Sequence, residues 1–180
     1  MIRLITPLTQ ADITGLKAGD EVLLSGVIFT ARDAAHKRLH DLIKTGKKLP
    51  LDLKGAVIYY AGPTPARPGM AIGACGPTTS SRMDNFTPDL IKKGLRVMIG
   101  KGDRSVAVKS TIKKYGCVYF IATGGLGALL AARVKNAKKI FYKDLGAEAI
   151  HRLVVEDFPV IVAIDSKGRN IYDAVRRKKK

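Results

Sequence analysis

The chain has 180 residues, 46% of them hydrophobic, and carries a formal net charge of +17. This length and composition are ordinary for a globular α/β protein with one core, and no apolar run is long enough to span a bilayer. Residues 2–6 form a strand-like start rather than a basic and apolar signal peptide, so we expect a cytoplasmic protein. These features disfavour a membrane-embedded or secreted protein.

The excess of basic residues points to an anionic partner. The 32 lysines and arginines are spread along the chain, and they form a dense run only at 176–180, where we expect a disordered tail. Nucleic acid is one candidate, but the chain has no tryptophan and only 6% aromatic residues, which supplies a base-stacking platform poorly. A basic surface can equally dock an acidic subunit or attract an anionic substrate.

Short apolar runs alternate with amphipathic segments along the chain, and no repeat or low-complexity linker marks a domain boundary. This alternation predicts an α/β fold with a mixed, partly parallel sheet flanked by helices, or a small barrel. The predicted strands are 2–6, 21–30, 56–60, 70–75, 96–100, 117–122, 139–142 and 159–164. The predicted helices are 31–45, 87–93, 105–115 and 126–135, while 147–154 is ambiguous.

Two cysteines limit the metal chemistry of the chain. Cys75 and Cys117 both lie in apolar runs, where we expect buried and unreactive thiols. Two isolated cysteines cannot by themselves hold an iron–sulfur cluster or a structural zinc ion, since these need about four ligands at suitable spacing. His40 and His151 also lack metal-ligand spacing, so we expect packing or surface roles for them.

The segment 76–84 carries the strongest chemical signal of the sequence. A Gly-Pro pair ends the preceding apolar run, four consecutive hydroxyl residues follow at 78–81, and Arg82 comes next. Free backbone N–H groups, hydroxyl donors and a guanidinium fork together suit a small anion or a carboxylate. The alternative is a capped turn with a solvated arginine, and the residues of this segment alone favour that alternative.

Two further strand-to-loop junctions carry candidate residues, because ligands of α/β sheets favour the carboxyl ends of strands. At the first junction, Arg32 and His36 are four residues apart near a helix start, where they can hold an anion and move a proton. The alternative there is a solvent-facing basic helix. At the second junction, Lys101 stands between two glycines, and the alternative is an ordinary turn lysine.

Taken together, five segments resemble the beta subunit of class I fumarate hydratase and L(+)-tartrate dehydratase. They are 30–39, 60–65, 76–84, 99–102 and 155–160, and the resemblance runs in order along nearly the whole chain. The resemblance implies one hydro-lyase beta-subunit domain over 1–175, folded as a swivelling β/β/α domain, with the basic tail 176–180 after it.

The resemblance also implies a partner chain and a reaction. In that family an alpha part holds an oxygen-sensitive [4Fe-4S] cluster through three cysteines and leaves one iron site open. We therefore expect no metal ligands in this chain, a cluster-bearing alpha subunit as partner, and an α2β2 assembly. The implied reaction is the reversible hydration of fumarate to (S)-malate, with tartrate dehydration as the alternative and a basic nucleic-acid-binding module as a third hypothesis.

The family's motif positions imply roles for five residues of this chain. Arg32, Arg82 and Lys101 would bind the carboxylates of the substrate and stabilise a dianionic intermediate. Thr78 would transfer the proton or relay it, although a threonine hydroxyl is a feeble base without an activating neighbour. His36 is the alternative acid–base or orienting residue.

Overall fold

Seven strands form one mixed sheet within residues 1–123 and 125–173, the part of the chain that the computed structural model describes. In chain order they are β1 (Ile2–Ile5), β2 (Glu21–Thr30), β3 (Val57–Tyr59), β4 (Val97–Gly100), β5 (Val118–Ile121), β6 (Val134–Phe141) and β7 (Ile150–Ile164). Their order across the sheet is β1-β2-β3-β4-β5-β7-β6. The predicted tail at 176–180 lies outside the described residues.

The strand directions combine a parallel block with one long antiparallel strand. Strands β1 to β5 run parallel to one another, whereas β7 runs antiparallel to β2, β5 and β6. Because β7 pairs with both β2 and β5, the pairings close a ring of five strands, β2-β3-β4-β5-β7. The predicted mixed, partly parallel sheet is confirmed, and the ring corresponds to the small barrel among the alternatives.

Short helices connect the strands. They are α1 (Gln10–Thr14), α2 (Asp33–Lys44), α3 (Thr87–Lys92), α4 (Val106–Tyr115) and α5 (Gly127–Ala132), with 3-10 segments at Ser80–Met83 and Lys143–Glu148. Local sequence explains the ends of α4. Ser105 Oγ accepts a hydrogen bond from the Val108 N–H at its start, and Gly116 ends it in the left-handed conformation at φ 62°.

The apolar core has two parts, one on each face of the strands. Because side chains alternate along a strand, Val57 and Tyr59 of β3 belong to the interior cluster of the ring, while Ile58 belongs to the cluster outside it. All five ring strands contribute to the interior cluster, together with α1 and α5. Helices α2, α3 and α4 cover the outer cluster, which gives the strand, strand and helix layers of a β/β/α domain.

The predicted strand at 70–75 is wrong. Met70 is 44% exposed, and the segment forms bends and loop structure. Its backbone pairs with another loop, since the Gly73 N–H donates to the Thr64 carbonyl at 3.2 Å and the Thr64 N–H donates to the Ala74 carbonyl at 3.0 Å. The segment therefore folds back on its neighbour instead of joining the sheet.

The predicted helix at 126–135 is too long. Helix α5 ends at Ala132, and Val134 already begins β6, where it is buried and pairs with β7. Burial in the interior cluster and pairing with β7 outweigh local helix propensity here. The ambiguous segment 147–154 belongs to β7 from Ile150 onward.

Both cysteines are buried, as predicted. Burial raises the pKa of the Cys75 thiol to about 12 and that of the Cys117 thiol to about 11. Such thiols stay protonated and unreactive at neutral pH. Across the described ranges, every helix is too short or too polar to cross a membrane.

Candidate active site

Three strand ends meet at one edge of the sheet. The register pairs Thr30 of β2 with Tyr59 of β3, and Tyr59 with Ile99 of β4, so these parallel strands end level with one another. Arg32 comes two residues after Thr30, and Lys101 comes two residues after Ile99. Both predicted site residues therefore lie at the carboxyl edge of the parallel block, where α/β sheets bind ligands.

The segment 76–84 lies across this edge. The Thr78 N–H donates to the Tyr60 carbonyl at 2.7 Å, and the Ser80 N–H donates to the Lys101 carbonyl at 3.0 Å. The Lys101 N–H in turn donates to Ser80 Oγ at 3.1 Å. These bonds continue the sheet beyond β3 and β4 and bring Thr78 and Lys101 to neighbouring positions.

A glycine makes this close approach possible. A Cβ at Gly100 would lie 1.9 Å from Ser80 Oγ and 2.9 Å from Tyr60 Cδ2, so any other residue would push the segment off β4. The Tyr119 hydroxyl hydrogen-bonds to Ser80 Oγ at 2.9 Å and to the Gly102 carbonyl at 2.8 Å. Ser80 is therefore a fully buried structural residue of the segment rather than a donor to a ligand.

One carboxylate joins the two candidate arginines. Arg32 precedes α2, and its Nε donates to Asp33 Oδ2 at 3.0 Å and lies 3.4 Å from Glu148 Oε1. Arg82 lies in the first 3-10 segment, and its Nε donates to the other Asp33 oxygen, Oδ1, at 2.7 Å. No described residue accepts a hydrogen bond from the Nη atoms of either arginine. Those Nη groups therefore keep donors that no described residue uses.

The candidate side chains differ in exposure. The side chain of Arg82 is 53% exposed and that of Arg32 is 21% exposed. Lys101 is exposed and Thr78 is half-buried, and no described carboxylate forms an ion pair with the Lys101 ammonium. The stem of Arg32 packs against Gly62, where a Cβ would lie 3.0 Å from Arg32 Cδ. Three cations and one hydroxyl are thus grouped at one edge, which suits a ligand with two carboxylates.

His36 is the predicted site residue that lies buried beneath this edge. It is fully buried, its Nδ1 lies 3.2 Å from the Arg32 carbonyl oxygen, and its ring meets the Tyr60 ring edge-on at 5.1 Å. Burial lowers the pKa of His36 to about 4, so the imidazole is neutral at pH 7. The alternative interpretation, a solvent-facing basic helix, is therefore wrong for His36. Arg32 precedes the helix, so a spacing of four does not set both side chains on one face.

The acidic residues that hold this edge together give no local signal in the sequence. Asp33 bonds to Arg82 across 49 positions of the chain, and Asp84 bonds to Arg104 across 20 positions at 2.7 Å. Arg104 is 4% exposed and also donates to Thr87 Oγ1 at 2.8 Å, which ties the end of the segment 76–84 to α3. Asp84 belongs to the segment 76–84, but no local spacing predicts its contact with Arg104, 20 positions along the chain.

A cavity of about 370 Å³ is a separate feature of the surface. It is lined by the loop 63–66, Lys139, Ala147 and His151 among others, and by none of the five predicted site residues. His151 Nδ1 forms a hydrogen bond with Thr30 Oγ1 at 3.1 Å, and the His151 backbone N–H donates to the same oxygen at 3.0 Å. Burial lowers the pKa of His151, which favours a neutral ring there.

Comparison with known proteins places the chain in a family. The chain belongs to the Fumarase C-terminus family, whose model matches residues 1–175. It is 41% identical over 177 residues to the "Putative L(+)-tartrate dehydratase subunit beta" of Methanocaldococcus jannaschii, covering 95% of this chain and 91% of that protein. The predicted family is thereby confirmed.

Two fumarate hydratases are also similar to the chain. It is 37% identical over 171 residues to the anaerobic class I fumarate hydratase of Escherichia coli, covering 93% of this chain and 31% of that enzyme. It is 41% identical over 153 residues to the mitochondrial fumarate hydratase 1 of Leishmania major, covering 83% of this chain and 28% of that enzyme. The chain therefore spans less than a third of the length of these two enzymes.

Proposed function

We propose that the chain is the beta subunit of a hydro-lyase that reversibly adds water to fumarate to give (S)-malate. The observation that carries the proposal is the pairing of Arg32 and Arg82 on one carboxylate, beside Thr78 and Lys101. Both arginines keep Nη donors for a ligand, and paired Nη groups match the two oxygens of a carboxylate. The lysine supplies a separate point charge for a second carboxylate.

The same cations suit the charge that develops during the reaction. Removal of a proton beside a carboxylate gives a dianionic intermediate, and fixed positive charge at that position stabilises it more than the substrate. Arg82 and Lys101 lie on segments fixed by the buried Ser80, so their backbones need little reorganisation. This chain thus provides the carboxylate clamp of the proposed enzyme.

Thr78 is the favoured proton-transfer residue of this chain. Its backbone is fixed at 2.7 Å to the Tyr60 carbonyl, and its side chain is half-buried at the edge that carries the clamp. His36 lies in the layer beneath, with a pKa of about 4, and is better suited to supporting Tyr60 than to meeting substrate. A threonine hydroxyl needs an activating group, which we assign to the partner chain.

The iron–sulfur cluster is proposed to belong to the partner alpha subunit. Within the described part of the chain, no group of three or more histidine, cysteine, aspartate or glutamate side chains is placed to hold a metal ion. Cys75 and Cys117 are buried thiols with raised pKa values, which fits core packing better than ligation. A [4Fe-4S] cluster with an open iron would supply Lewis-acid chemistry at the substrate hydroxyl.

Dehydration of L(+)-tartrate is the second candidate function. It is favoured by the Methanocaldococcus jannaschii relative, which this chain covers over 91% of its length and whose name is that of a tartrate dehydratase beta subunit. The clamp residues suit either four-carbon dicarboxylate, because both substrates carry two carboxylates. An α2β2 assembly with the alpha subunit is proposed for either activity.

Anaerobic co-expression with the alpha subunit, followed by assays on (S)-malate, fumarate and L(+)-tartrate, tests the proposal. We expect hydration of fumarate and a weaker or absent reaction with tartrate. A preference for tartrate would select the second candidate. A folded complex with a loaded cluster and no activity on any of the three compounds would contradict both.

A further inference from the structure

We infer that Asp33 is a positioning residue that sets the distance and direction between the two arginines of the dicarboxylate clamp. The inference rests on the proposed function. Its two carboxylate oxygens are divided between the arginines, with Oδ2 at 3.0 Å from Arg32 Nε and Oδ1 at 2.7 Å from Arg82 Nε. A single carboxylate therefore fixes two cations that come from separate elements.

The carboxylate of Asp33 is itself held in place. It belongs to the first residue of α2, whose adjacent Ala34 N–H donates to Glu148 Oε2 at 2.8 Å. Burial alone would raise the pKa of Asp33, but hydrogen bonds from Arg32 and Arg82 bring it below its usual value. The group is therefore ionised at neutral pH and offsets the repulsion between the two guanidinium groups.

Asp33 binds each arginine through its Nε atom, and this choice of atom suggests a role in ligand binding. A carboxylate held at Nε occupies only the side of the guanidinium that carries the Nε–H, so the end-on pair of N–H groups, one from each Nη, stays unused. The ion pair of Arg38 and Asp144 shows the opposite arrangement, since Arg38 donates through Nη1 at 2.9 Å and through Nη2. Asp144 thus uses up the fork of its arginine, whereas Asp33 leaves two forks free at the clamp.

Loss of the Asp33 charge has two opposing effects on a dicarboxylate. The edge becomes more positive, which favours binding of an anion, while the arginines lose their common anchor and separate. Binding of substrate then changes little, whereas stabilisation of the transition state, which depends on fixed orientation, falls. A positioning role is therefore expected to lower kcat more than it raises KM.

The experiment compares Asp33→Asn, Asp33→Glu and the matched control Asp144→Asn in the reconstituted complex with the alpha subunit. For Asp33→Asn we expect kcat for (S)-malate to fall about tenfold or more, with KM within about threefold and thermal unfolding within a few degrees of wild type. Asp33→Glu restores part of kcat because it keeps a carboxylate, and Asp144→Asn stays within about twofold of wild type. An unchanged kcat in Asp33→Asn, or a loss equal to the loss of folded complex, overturns the inference.

A second measurement separates this inference from the proposed function. In the full chain labelled with ¹⁵N-arginine, the Nε–H signals of Arg32 and Arg82 are expected to be shifted and slow to exchange. Asp33→Asn should move the Arg82 signal toward that of solvated arginine and the Arg32 signal less far, because Glu148 Oε1 also lies 3.4 Å from Arg32 Nε. Asp144→Asn should leave both signals in place. If the wild-type complex is inactive, the proposed function is wrong, but these signals still show whether Asp33 binds the two arginines. Solvated signals in the wild type overturn the inference.

Discussion

Arg82 lies in the segment 76–84, and Arg104 bonds to Asp84 at the end of that segment. The two arginines have opposite surroundings. The side chain of Arg104 is fully buried, bonds to Asp84 and Thr87, and lies 5.3 Å from the ring centre of Tyr60. Arg82 is 53% exposed and is held through Nε alone. The use of the guanidinium donors separates these two arginines by role. A structural arginine has its donors used within the protein, while a ligand-binding one keeps donors free.

Replacing Arg104 by methionine removes the buried half of this comparison. We expect the free energy of unfolding to fall by about 3–5 kcal/mol, because the carboxylate of Asp84, 9% exposed, would remain buried without its partner. Urea unfolding measures the loss. The control Arg38→Met breaks an exposed pair and should cost less than about 1 kcal/mol. Equal losses for the two variants would contradict the assignment, and Asp84→Asn added to Arg104→Met should recover stability.

The pH dependence of stability probes the buried layer beside Arg104. The pKa of His36 is about 4 in the folded state against 6.5 for the free side chain, so on acidification the unfolded chain takes up the proton first. Above pH 6.5 this group leaves stability unchanged, and between pH 6.5 and 4 it should lower stability by about 3 kcal/mol. The profile of His36→Asn lacks this contribution. Parallel profiles for the wild type and the variant would show that the residue is not buried and neutral.

Replacing Arg82 by alanine tests the exposed half. In the complex with the alpha subunit, we expect kcat/KM to fall about a hundredfold, or roughly 3 kcal/mol, because a substrate carboxylate loses its bidentate partner. Unfolding free energy should change by less than about 1 kcal/mol, since the pair with Asp33 is half-exposed. Arg82→Lys keeps the charge without the fork and should be intermediate. An unchanged kcat/KM would remove Arg82 from the site.

Gly100→Ala tests whether the close contact between Gly100 and Ser80 keeps Arg82 and Arg104 in position. The new Cβ would lie 1.9 Å from Ser80 Oγ, and overpacking of this kind costs about 1–3 kcal/mol. We expect stability and kcat/KM to fall together, because the segment with Arg82 would shift. Gly15→Ala is the matched control, with φ −77° and no atom within 4 Å of its Cβ. If Gly100→Ala changes neither stability nor kcat/KM, the segment 76–84 accommodates the added methyl group without loss, contrary to this expectation.

Much of the fold follows from local patterns in the sequence. Strand β2 was predicted with its observed bounds, 21–30, because its apolar residues are continuous and a helix pattern follows. The closure of the ring was beyond such patterns. It depends on β7 lying beside β2, as in the pairing of Phe29 with Arg152, and periodicity carries no information on contacts between residues so distant in the chain.

Part of the site was predictable for a similar reason. Parallel strands end at a common edge, so Arg32 and Lys101 could be placed together from the ends of their strands alone. The inward direction of His36 was not predictable, because it depends on where α2 begins. The hydrogen bond from Arg82 to Asp33 was not predictable either. It joins two elements that come close only when the whole sheet has formed.

The outer strand β6 carries part of the large positive charge at an open edge of the sheet. Among the described residues, β6 pairs with β7 alone, so its other edge presents unpaired backbone groups. An open edge invites pairing with a strand of another molecule, and lysine side chains are a common way to discourage it. Lys135, Lys138 and Lys139 are all exposed along this strand. Two molecules meeting edge to edge would bring these lysines together, and their like charges would oppose such pairing.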